Sequence, residues 1–253
     1  MSWVGLKTLV RRECRTIARY WGITLAPPVI TTILYFTIFG EVFGKRIGSF
    51  DGIDYIRYMA PGLIVLWVIP YSFGHTASGF VGARLFKFIE EVLVSPLPDW
   101  VVMTGYVLGG MARGFLVGVA VALTTLFFTH LEVHSVTVSV AALLLAALVS
   151  ALGGFITAMF AKSFEHVTTI QILILTPLTY VGGVFTSVSM LPKWAQNLSL
   201  ANPMFYMVNT FRYGVLGVSD VPVGMAFAVI CAFGVVLFLT SAKLMARGTG
   251  FRE

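Results

Sequence analysis

Charge is scarce in this chain. Only 11% of its 253 residues are acidic or basic, against roughly a quarter in soluble domains. With 58% hydrophobic residues and a mean hydropathy of +0.91, that scarcity excludes a water-soluble enzyme, a disordered chain and a free nucleic-acid-binding domain. Cysteine is scarcer still, and Cys14 and Cys231 cannot build a disulfide framework. A phosphate-cradling loop is missing. The nearest stretch, Gly40-Glu41-Val42-Phe43-Gly44-Lys45-Arg46, is one residue short and has Arg46 where a magnesium-binding Ser or Thr belongs. Any ATP-driven work therefore needs hydrolysis by another chain. Gly217-Val218-Ser219-Asp220-Val221 lacks the last glycine of a nucleophile elbow. His130-Leu131-Glu132-Val133-His134 has the wrong order for a zinc protease, and its histidines read as solvated loop residues. No Asp or Glu falls in the core of a long apolar stretch, which argues against a proton- or sodium-coupled carrier. No catalytic residue, cofactor or metal is expected.

What the chain does have is apolar runs near the ~20 residues that cross a bilayer as a helix. They predict spans over 23–40, 58–80, within 101–128, and over 136–160, 167–188 and 221–244. The expected fold is an all-α polytopic membrane protein of six transmembrane helices. Before them, residues 1–22 carry Lys7, Arg11, Arg12, Arg15 and Arg19, with Trp3, Leu6, Val10, Cys14, Ile17 and Trp21 at helical spacing on the other side. That pattern predicts an amphipathic helix lying in the membrane interface, in contact with lipid, rather than a cleaved signal peptide. Lys7, Arg11, Arg12, Arg15, Arg19, Arg84, Lys87, Lys162, Lys243, Arg247 and Arg252 fall on one side of this arrangement; Lys45, Arg46, Arg57, Lys193 and Arg212 fall on the other. The positive-inside rule then puts both termini in the cytoplasm, with 245–253 as a cytoplasmic tail.

Three features go beyond counting spans. In the cytoplasmic loop 81–100, the residues from Arg84 to Leu93 read as a short helix ended by Pro96 and Pro98. Leu85, Phe88 or Ile89, and Val92 share its apolar face, while Glu90 and Glu91 lie on the charged one. It is either a docking helix for a soluble partner or a connector on the membrane surface. The second feature is a ladder of small residues, Gly110, Gly114, Gly118 and Ala122, that predicts close helix packing. Arg113 beside it either faces a cavity or snorkels to the interface. Third, the 189–220 segment is apolar yet too short to cross twice. It predicts a re-entrant pair of short helices before the last span, whose bend protein must cover. Arg212 within it either anchors at the headgroups or handles an anionic substrate.

These stretches bring a resemblance with them. Glu90-Glu91-Val92-Leu93-Val94-Ser95-Pro96-Leu97-Pro98 resembles the E-E-L-L-V-S-P element of ABC-2 type transporter permeases. Leu175-Thr176-Pro177-Leu178-Thr179-Tyr180-Val181-Gly182-Gly183-Val184-Phe185 is similar to that family's fifth span. Asn202-Pro203-Met204-Phe205-Tyr206-Met207-Val208-Asn209-Thr210-Phe211-Arg212-Tyr213-Gly214 is similar to its signature before the sixth, in which many members have Asp where this chain has Asn209. With Ala112-Arg113-Gly114 and Phe160-Ala161-Lys162-Ser163-Phe164, the likeness covers nearly the whole chain. It implies a single transmembrane domain over 1–253 that acts as a six-span half-transporter in the bacterial inner membrane. Two copies would pair with each other and with two separate ABC-type ATPase subunits, which the N-terminal helix and first cytoplasmic loop contact. Spans 1 and 5 would meet at the homodimer axis. Substrates of the family are usually exported. The competing reading from a different class is a non-transport membrane scaffold or sensor.

Overall fold

The computed structural model describes residues 2–39, 49–50, 53–88, 97–129 and 132–248. Apart from a two-residue hairpin, β1 (Ser49–Phe50) with β2 (Ile53–Asp54), its regular elements are helical. Helix α1 (Ser2–Arg19) is followed after one residue by α2 (Trp21–Ile38). Then come α3 (Tyr55–Leu85), α4 (Asp99–Thr125) and α5 (Val136–Phe160). A broken helix consists of α6 (Phe164–Ile170), a π-helical stretch Gln171–Leu175 and α7 (Thr176–Val181). The short α8 (Lys193–Leu200) and α9 (Pro203–Leu216) precede α10 (Val223–Ala246). Among the described residues, five helices are long and apolar enough to cross a membrane: α2, α3, α4, α5 and α10. The chain is a polytopic integral membrane protein.

Helix α3 sits at the centre, buried along most of its length and packed on α4 and α5. In a bilayer, burying apolar side chains among lipid tails gains little, so helices associate through close packing of small residues. The glycine ladder does this within one chain. A Cβ on Gly114 would run into the Ser72 side chain and approach the Val68 carbonyl to 3.0 Å, and one on Gly110 would meet Thr76. Gly154 of α5, which packs on α4 as well, leaves no room for a Cβ against the backbone of Phe73.

Several boundaries depart from the sequence pattern. Because α2 starts at Trp21, Pro27 and Pro28 lie inside the helix, not in its first turn; a membrane helix tolerates this when neighbours cover the freed carbonyls. Helix α3 outruns the expected 58–80 at both ends, so Leu85 closes a span and does not belong to a separate loop helix. Phe86 and Lys87 then turn the chain, with Lys87 at φ 60°. Arg84 donates to the carbonyls of Met159 (3.1 Å) and Ala161, satisfying the end of α5. The expected fifth span, 167–188, stops at Val181 and is broken in the middle. Pro177 has no N–H for the ladder and its ring crowds the carbonyl of Leu173, inside the π stretch. The Gln171 carbonyl accepts from both the backbone N–H and the hydroxyl (3.0 Å) of Thr176. The expected pair of short helices before the last span is present as α8 and α9. Asn202 caps the latter by accepting from the Met204 N–H (3.0 Å), and Gly217 ends it at φ 76°.

Helix α1 packs one face on the bundle. Leu9, Glu13 and Ile17, four residues apart, are buried against α4, where Gly105 and Gly109 make room for Leu9 and Glu13. Trp3 and Cys14, on the apolar side expected to meet lipid, are exposed, as is Trp21 at the start of α2.

A side chain at these contacts has nowhere to go. Replacing Gly114 or Gly154 by Ala is expected to cost about 1–3 kcal/mol of stability, read as a lower melting temperature of the purified chain in detergent. Gly22→Ala, whose Cβ meets nothing within 4 Å, serves as the neutral control.

Candidate functional site

Two buried polar constellations sit toward opposite ends of α3. The first lies at the end where α1 packs. Glu13 of α1 reaches between α3 and α4, accepting from Nε2 of His75 at 3.0 Å and from Arg12 at 2.8 Å. On the far side of the imidazole, Nη1 of Arg113 is 2.9 Å from Nδ1 of His75, and Nη2 donates to the Thr24 hydroxyl at 2.8 Å. A guanidinium can only donate, so Nδ1 of His75 accepts and its ring proton sits on Nε2, pointing at Glu13. The chain Arg12–Glu13–His75–Arg113–Thr24 thus joins α1, α2, α3 and α4. Burial pushes the Glu13 carboxyl up, but the hydrogen bonds from His75 and Arg12 and the charge of Arg12 outweigh it and hold the group below the ordinary glutamate range.

This chain lines a cavity of about 720 Å³. Tyr71, Gly74, Ser78 and Gly82 of α3, Phe86 and Phe88 beyond it, Tyr106 and Arg113 of α4 and Gln171 of the π stretch complete the wall. Arg113 therefore faces a cavity. It lies fourteen residues into α4, counting from Asp99.

The second constellation surrounds Arg212 of α9, which is 1% exposed. Its guanidinium donates to the Gly183 carbonyl, lies 3.7 Å from Asp220 and covers the Tyr58 ring at 4.2 Å. Gly183, at φ 78°, has the left-handed conformation that favours glycine. Asp220 in turn accepts from the Ser187 hydroxyl (2.6 Å), and its backbone N–H donates to Asn209 Oδ1 (2.9 Å). Asn209 is fully buried. The network ties the turn after α7, helix α9 and the turn before α10 into one block.

Of the residues singled out by sequence, Asn209 and Arg212 come together, and Arg113 belongs to the other constellation. Leu85 and Phe88 are exposed at the α1 end of α3. Ile89, Glu90 and Glu91 lie outside the described residues. The structure places Arg212 in the protein interior. Sequence reasoning passed over Glu13 and His75. The available signal was that Glu13 is the sole acid of α1 and stands four residues from both Leu9 and Ile17.

Residues 4–216 match the model of the ABC-2 type transporter family. The chain is 44% identical over 253 residues to "Inner membrane transport permease YadH" of Escherichia coli K12, covering 100% of this chain and 99% of that protein. It is 24% identical over 224 residues to "Nodulation protein J" of Rhizobium meliloti, covering 88% of this chain and 84% of that one. The protein of the same name from Sinorhizobium fredii is 25% identical over 224 residues, with the same coverage.

Both constellations make measurable demands. Arg212→Lys and Arg212→Ala should each destabilise the chain by about 2 kcal/mol or more, because an ammonium cannot bridge the Gly183 carbonyl and Asp220 while covering Tyr58. Thermal melting of the purified variants checks this, and a melting point within a degree of the parent's for either one contradicts it. Glu13 carries a lowered native pKa, so its stabilisation is complete above the ordinary glutamate range and is lost as pH falls through that lowered value. Melting temperature against pH should show an acid limb that flattens in Glu13→Gln.

Proposed function

Since the chain belongs to the ABC-2 type transporter family, we propose that it is the membrane-spanning subunit of an ATP-driven exporter in a bacterial inner membrane, powered by a separate ABC-type ATPase. The observation that carries this reading is the family match across 4–216, strengthened by full-length likeness to a protein named a transport permease. In this reading the chain hydrolyses nothing itself. It alternates between inward- and outward-open states that the ATPase biases. Both termini are cytoplasmic, 164–181 makes the fifth of six crossings, and α8 with α9 re-enters from the outside to close the pathway.

The ATPase docks where α1 and the 81–100 loop come together. The exposed apolar side chains of Leu85, Phe86 and Phe88 at that end of α3 support this; Ile89, Glu90 and Glu91 continue the same contact. A second copy completes the pathway, because one chain without an internal repeat supplies half of a two-fold channel. Exposed apolar faces on α2 (Ile30, Ile33, Leu34) and on the π stretch (Ile172, Leu173, Ile174) suit that homodimer contact.

Co-expression with an ABC-type ATPase of the same bacterium tests the proposal. The two should co-purify, and Glu90→Lys with Glu91→Lys should cut the recovered ATPase about tenfold by charge repulsion while leaving membrane insertion intact. Complex yield unchanged by the double reversal sinks the docking assignment. Nucleotide turnover that tracks the permease after complete removal of the ATPase sinks the division of labour.

A further inference from the structure

Arg113 is a cation without a counter-charge among the described residues. Both partners it donates to, His75 Nδ1 and the Thr24 hydroxyl, are uncharged, and its Nε is buried with no acceptor. The nearby carboxylate is already taken, since Glu13 is held by Arg12 and His75. Among the described residues of the wall, Arg12, Glu13 and Arg113 sum to one positive charge in excess. A guanidinium removed from water is costly unless an anion meets it, and its planar fork matches a phosphate or carboxylate. The rest of the wall is of another character. Tyr71, Phe86 and Phe88 give it aromatic surface, and Gly74, Ser78 and Gly82 keep the α3 side flat. The volume, about 720 Å³, falls within the few hundred to about 1,000 Å³ of small-molecule sites.

We propose that this cavity binds a monoanionic amphiphile, with its phosphate or carboxylate on Arg113 and its hydrocarbon body along the flat side of α3 toward Phe86 and Phe88. A bilayer lipid and a free amphiphile share this chemistry. The proposal rests on the transport reading and deepens it by naming a substrate class. Its test measures binding by the isolated chain and requires neither turnover nor an ATPase, so its failure leaves the co-purification result standing.

The full-length chain in neutral detergent is titrated with dodecyl phosphate by isothermal calorimetry, with empty micelles subtracted. One saturable site is expected, weakened about tenfold or more in Arg113→Gln. Ser78→Phe fills the cavity without touching Arg113 and should also abolish binding, which keeps the proposal testable if Arg113→Gln fails to fold. Arg11→Gln with Arg15→Gln, on the exposed face of α1, should leave binding unchanged. Dioleoyl phosphatidic acid is the competitor that separates the sources: displacement assigns a bilayer lipid, and its absence assigns a free amphiphile. The proposal is overturned if dodecanol or inorganic phosphate binds as tightly as dodecyl phosphate. Binding that survives Ser78→Phe, or that disappears with Arg11 and Arg15, overturns it as well.

Discussion

The fold depends on how closely two helices approach α3. Lipid tails are as apolar as the side chains they would replace, so contact geometry rather than burial holds the bundle together. Gly110 and Gly114 bring α4 against Val68, Ser72 and Thr76, and Gly154 brings α5 against Phe73, with α4 and α5 also in contact. Everything functional hangs on this three-helix contact. It fixes His75 between Glu13 and Arg113, and Tyr58 beneath Arg212, on the same helix and roughly 25 Å apart at 1.5 Å per residue.

The two arginines show how neighbours decide what a buried cation does. Arg212 is enclosed, with a carboxylate, a carbonyl and a ring all pointing at it, and its charge is spent on joining three segments. Arg113 has the same chemistry but is only partly buried, its partners are neutral and one side faces a cavity. A balanced cation is cement, whereas an unbalanced one beside open space is a binding element. The difference comes from Asp220 standing by one and from Glu13 being already engaged beside the other.

Helix α1 couples surface to interior. Its outer face carries Lys7, Arg11, Arg15 and Arg19, its inner face carries Leu9 and Ile17, and Glu13 extends from that inner face to the imidazole of His75. Displacement of α1 would pull directly on the residues that line the cavity. In the proposed exporter, that gives a covalent and hydrogen-bonded route from a docked ATPase to the cavity.

Composition alone determined that this chain lives in a bilayer, and hydropathy placed α2, α3, α4, α5 and α10 to within a few residues. Both follow from a local property, the length of apolar runs. The glycine ladder was legible as packing because its four-residue spacing marks one helix face. The family signature was legible because its residues are contiguous. What sequence could not supply was partnership across distance. Glu13 went unremarked among the basic residues of α1, and only the packing of α1 on Gly105 and Gly109 carries it to His75. Arg212 read as a headgroup anchor or an anion handle, because nothing in its own helix announces that Gly183, Tyr58 and Asp220 converge on it. The broken fifth helix had its Pro177 in plain view, yet a helix period cannot tell a kink from a π stretch. Helical pattern reports which face is apolar; whether that face, or a charge on it, meets lipid, a neighbouring helix or a cavity is settled only when all the helices are packed.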